Sequence, residues 1–179
     1  MSNISERFEP LDDDTQLVDD RLRDLYAYWR ARRGERPMAD RSDIDPVDIP
    51  RHLPFISLIE RLPGTWENFR YRLVGSELVA MIGQDMTGRT LLELTHDNIR
   101  RVIGETFRRC LQSGRPHHHH MVAPGTQGCH YERILLPLTS GTREPEMILL
   151  SVATRNWPRL RPAFLLESQL FRRVTAGAL

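Results

Sequence analysis

The stretch Phe69–Leu94, FRYRLVGSELVAMIGQDMTGRTLLEL, decides how this chain folds. Its first residues alternate as a strand does. Phe69, Tyr71 and Leu73 share one face, and Arg70, Arg72 and Val74 share the other. Gly75 ends the strand and lets the chain turn sharply onto the face of a sheet. The residues after Gly75 read as short helical turns, broken at Gly83 and Gly88. Asp85, Thr87 and Gly88 supply turn chemistry that folds those turns over a cavity. A strand that turns into helices lying back across a sheet is an α+β signature.

Downstream, HDNIRRVIGETFRRCLQSG is the clearest helix. Ile99, Val102, Ile103, Thr106, Phe107, Cys110 and Leu111 form one stripe at helical spacing, with arginines and Glu105 opposite. Three strands come next, RPHHHHMVA, CHYERILLPLTS and EMILLSVAT, joined by PGTQG and GTREPE as an antiparallel meander. PAFLLESQLFRRV reads as a closing helix. Upstream, PFISLIERL is a strand joined to FRYRLVG through the turn PGTWEN.

Residues 14–33 read as a helix, with Val18, Leu22, Leu25 and Trp29 on one stripe. That stripe suits packing on the core or, as a sharper alternative, a homodimer seam. The expected fold is α+β, a five-stranded antiparallel sheet with helices on one face plus N- and C-terminal flanking helices. The expected divisions are an acidic flexible N-terminus at 1–13, an N-terminal helix at 14–36, the central domain at 37–155 and a helical tail at 156–179.

Composition excludes several classes. Of 179 residues, 40% are hydrophobic and 27% charged, as in an ordinary soluble globular protein. No apolar run approaches the roughly 20 residues of a membrane span. The acidic, polar start is no signal peptide, and Cys110 and Cys129 form no CxxC pair, so a cytoplasmic protein with free thiols is expected. All 25 basic residues are arginine, which excludes lysine-based catalysis. The motifs GxSxG, HExxH, GxxxxGK[ST] and GxGxxG are absent, and no nucleic-acid motif accompanies the arginines. No enzymatic activity is expected.

Four histidines, His117 to His120, lie on the third strand, so their rings divide between two sheet faces. A turn at PGTQG sets His120 opposite His130 and His118 opposite Glu132. One residue along, His130 and Glu132 join His117 and His119 instead. In either register two run histidines, His130 and Glu132 share a face. A divalent metal held by His118, His120 and His130, a pH switch, and a merely imidazole-rich strand are the three readings.

The ordered set RSDIDPVDIPRHLPFISLIE, FRYRLVGSEL, GQDMTGRTLLEL, YERILLPLTSG and EMILLSVA resembles the PAS domain, and more closely the small stand-alone bacterial PAS proteins. The resemblance spans Leu22 to Arg155. It implies sensing or protein–protein interaction in signalling, with a pocket between the long helix and the sheet and no catalysis. No output segment follows Arg155, so the signal is expected to pass to a partner protein. Haem-binding relatives take an axial histidine near His96, whereas the reactive cysteine of flavin-binding relatives has no counterpart here. No cofactor is required by the sequence, with haem or a divalent metal as alternatives. Met81, Ile103, Phe107, Ile134 and Leu136 are the pocket candidates. They are chosen by apolar periodicity, which describes plain core equally well.

Overall fold

The computed structural model describes residues 5–65, 68–93, 97–123 and 129–155. In chain order the elements are β1 (Ser5–Pro10), α1 (Asp20–Arg33), β2 (Ala39–Asp40), β3 (Ile56–Arg61), β4 (Phe69–Val74), α2 (Ser76–Ile82), α3 (Asp97–Ser113), β5 (His117–Ala123), β6 (Cys129–Thr139) and β7 (Met147–Arg155). The sheet runs β1-β5-β6-β7-β3-β4, antiparallel throughout, and the two residues of β2 add a parallel pairing to the end of β6. All five expected strands are present, and β1 and β2 join them. The segment expected to be a flexible N-terminus supplies β1, which pairs with β5 from Ser5↔Val122 to Pro10↔His117. The expected C-terminal helix lies outside the described residues.

Both outer strands of the five-stranded core are covered, which removes the exposed backbone that invites edge association. On one side β1 lies against β5. On the other, the turn after α2 docks on β4: Gly88 N–H donates to Tyr71 O at 2.7 Å, and Tyr71 N–H donates to Arg89 O at 2.9 Å. Asp85 accepts from Thr87 N–H and the Thr87 hydroxyl accepts from Val74 N–H, so the QDMTG turn chemistry fastens this flap. Gly75 is needed for space rather than for its backbone angle, since φ is an ordinary −65°. A Cβ there would stand 2.3 Å from Leu53 O.

Alternation along the strands divides the molecule into two layers. Ile134, Leu136 and Leu138 of β6, with Met147 and Leu149 of β7, pack against Leu22, Leu25 and Trp29 of α1. Tyr131 and Leu135 of β6, with Ile148, Leu150 and Val152 of β7, pack against Phe107, Cys110 and Leu111 of α3. The indole of Trp29 donates to Pro137 O at 3.2 Å and pins α1 onto β6. Asp19 caps α1 by accepting from Arg21 and Leu22 N–H.

Two expectations are corrected by this layering. Leu22, Leu25 and Trp29 are 0%, 0% and 1% exposed within their own chain, so the core-packing reading holds and the homodimer seam does not, and of that set only Val18 faces solvent. A sheet with one apolar face needs one helical layer, but β6 and β7 are apolar on both faces and require a second. The pocket set is also divided. Met81, Ile103 and Phe107 lie on the α3 side, whereas Ile134 and Leu136 point to α1, because even-numbered β6 side chains face away from α3.

Candidate functional site

The histidine run is an inner strand, flanked by β1 and β6, and His117, His118 and His119 are all buried. His118 pairs with Ile134 and His120 with Glu132, two residues beyond the first expected register. A shift by two preserves facing. His118, His120, His130 and Glu132 therefore share the α1 side, and His117, His119 and Arg133 share the α3 side.

On the α3 side the hydrophobic layer contains a polar centre. Arg133 is only 6% exposed. Its Nε donates to His119 Nδ1 at 3.1 Å, and Nη2 donates to Thr106 Oγ1 at 3.1 Å. The register places His119 directly opposite Arg133, while Thr106 descends from the buried stripe of α3. The Thr106 hydroxyl donates in turn to Ile103 O at 2.8 Å. Nδ1 of His119 is thus an acceptor, which leaves the ring neutral with its proton on Nε2. The aromatic wall consists of Tyr131, edge-on to His119 with centroids 5.9 Å apart, and Phe107, edge-on to Phe69 and Tyr71. Burial pushes the Tyr71 phenol well above its ordinary range, so it remains un-ionised. Burial likewise raises the Cys110 thiol, which donates to Leu135 O and is unreactive.

On the α1 side Glu132 is well supplied with donors, while Nδ1 of His118 is buried without a hydrogen-bond partner among the described residues. Glu132 Oε1 accepts from His118 Nε2 at 2.8 Å and from Val18 N–H at 2.9 Å, and Oε2 accepts from Asp19 N–H at 2.9 Å. Burial alone would raise the Glu132 carboxyl, but those three hydrogen bonds outweigh it and hold the group below its ordinary range. His120 stacks on His118 and on His130, with Nε2 3.4 Å from His130 Nδ1. Burial lowers the His120 imidazole. A shallow groove bounded by Val18, His120, His130, Thr154 and Arg155 opens over these rings.

The expected metal constellation does assemble on one face, but as a ladder of stacked rings. Among the described residues no three His, Cys, Asp or Glu side chains converge to hold a metal ion. His96, the haem candidate, lies outside the described residues. Periodicity treats Thr106 as one more member of an apolar stripe and does not select Arg133 or His119 for the inner face. The available signal is a cation at an inward position of a strand whose neighbours are Tyr131 and Leu135.

Residues 19–152 match the family model of the PAS domain. The chain belongs to the PAS-domain family. PAS domains are in general sensory and binding modules that mediate ligand or protein interactions. No curated protein matches this chain. Among the described residues no helix is long and apolar enough to cross a membrane.

Proposed function

We propose that this PAS domain is a sensory module of bacterial signalling, which takes a small ligand between α3 and the sheet and reports it to a partner protein. The observation that carries this reading is the Arg133–His119–Thr106 cluster. A core built only for stability has no use for a buried guanidinium, because leaving water costs such a group several kcal/mol even after relaxation. Polar groups converging within an apolar enclosure are what a selective ligand site requires.

A route outward runs through the same two strands. His118 and Glu132 adjoin His119 and Arg133 in sequence, point to the opposite face, and hold the backbone that leads into α1. Ligand occupancy that shifts β5 against β6 on the α3 side therefore acts on the start of α1, the element through which a partner is to be addressed.

Native mass spectrometry of the untagged protein tests this. The expected result is a stoichiometric small-molecule adduct that Thr106→Val weakens while cooperative unfolding is retained. A bare mass for the wild-type protein overturns the ligand reading and leaves partner binding alone as the function. A coloured or metal-bearing adduct would instead support the haem or metal alternative.

A further inference from the structure

We infer that the site beneath α3 takes a small organic monocarboxylate, gripped by the guanidinium of Arg133. This rests on reading that face as a ligand site and names the ligand's chemistry.

Charges on the α3 side do not balance. An arginine side chain is fully cationic at any working pH. Arg133 is buried, and among the described residues no carboxylate lies within ion-pair distance of it. The acidic groups of α3 are engaged elsewhere: Glu105 holds Arg108 and Arg109, and Asp97 holds Arg100. Both groups that accept from Arg133 are neutral. The imidazole of His119 uses its unprotonated nitrogen, and the Thr106 hydroxyl has its own proton committed to Ile103 O. Tyr71, close enough to feel the guanidinium, stays a phenol. Among the described residues, therefore, no anion offsets the positive charge of Arg133.

Geometry narrows the ligand. Nε and one N–H of Nη2 are in use, which leaves the second N–H of Nη2 and both of Nη1 for a further acceptor. Arginine matches a planar carboxylate by a fork of parallel N–H donors. A monoanion balances the single charge of Arg133, whereas a phosphate dianion would bring a second negative charge that the one guanidinium does not offset. The walls around the cluster, Phe107, Tyr71 and Tyr131, suit an apolar body attached to the carboxylate.

The test is isothermal titration of the full chain with butyrate, hexanoate, benzoate and phenylacetate, each beside its primary amide. Acid and amide share shape and differ in charge. The expected result is that at least one acid binds about tenfold or more tighter than its amide, as a charge-assisted hydrogen bond implies. Arg133→Met should abolish that difference while leaving amide affinity within about threefold. Arg133→Gln serves as the second variant, should the first fail to fold. Amides that bind as tightly as their acids overturn the carboxylate assignment and leave the ligand reading standing. An acid preference that survives in both variants overturns the role of Arg133. If neither acids nor amides bind, the carboxylate assignment falls, and a bare native mass would take the ligand reading with it.

Discussion

Glu132 and Arg133 are neighbours in the chain, both buried and both charged, yet they face opposite layers and meet opposite surroundings. Glu132 receives three hydrogen bonds, one from His118 and two from the backbone ahead of α1. Arg133 gives two hydrogen bonds, both to neutral acceptors. A buried charge with donors on both oxygens is a structural fastening. A buried charge with neutral partners is unfinished, and its counter-charge has to come from outside the described residues. Composition, spacing and burial treat these two ions alike, and only their hydrogen-bond partners tell them apart.

The largest expected effect is at Glu132. Glu132→Ala removes the acceptor of two backbone N–H groups and leaves His118 unpaired in the interior. We expect a loss of about 3–5 kcal/mol in chemical denaturation, the usual penalty for breaking a buried pair. A loss below about 1 kcal/mol would erase the contrast between Glu132 and Arg133.

Acid should expose the same fastening. The folded Glu132 carboxyl titrates below its ordinary value of 4.5. Its contribution is therefore complete above that ordinary value and is lost as pH falls through the lower folded one. The urea midpoint of the wild-type protein should fall more steeply than that of Glu132→Gln between about pH 5 and pH 3. Parallel curves for the two proteins would show that other carboxylates govern the acid limb.

A smaller effect is expected where β1 closes the histidine strand. The ring of Phe8 stacks on His117 at 5.1 Å and meets His119 edge-on at 5.7 Å. Phe8 is half-buried, so Phe8→Ala should cost about 1 kcal/mol, less than a fully buried phenylalanine. Hydrogen exchange in β5 should quicken in that variant, and unchanged exchange would mean that β1 protects the strand through its backbone alone.

The smallest stability change is expected at Arg133. In the ligand-free protein Arg133→Met exchanges a buried ion that has only neutral partners among the described residues for an apolar chain of similar reach. Its unfolding free energy should stay within about 1 kcal/mol of wild type or rise. A loss as large as that of Glu132→Ala would place Arg133 among the structural fastenings and remove the contrast between the two faces.

Much of this architecture is legible in local pattern. The strand ending at Gly75, the broken turns through Gly88 and the stripe from Val102 to Leu111 lie in the chain as expected, because periodicity reports which side of an element is apolar. The grouping of His118, His120, His130 and Glu132 is legible for the same reason, since a register error of two residues leaves facing unchanged. The N-terminal strand is not legible. SERFEP is short, partly charged and ends in proline, and it becomes a strand through the unpaired edge of β5 that it meets. The core packing of Leu22, Leu25 and Trp29 is legible in their stripe, but not which sheet face they join, because an apolar stripe says that a helix must be covered and not by what.

The sequence alone determined the order of the main helices and the five core strands, the family and the two-sided division of those strands, all consequences of local geometry and side-chain character. Only the tertiary structure decided which layer each apolar face joins, and that Glu132 finds the backbone at Val18 and Asp19, more than a hundred residues away, while Arg133 finds no acid among the described residues. Hydrogen bonds and charge compensation act over a few ångströms, so they depend on which distant segments the packed fold brings into contact.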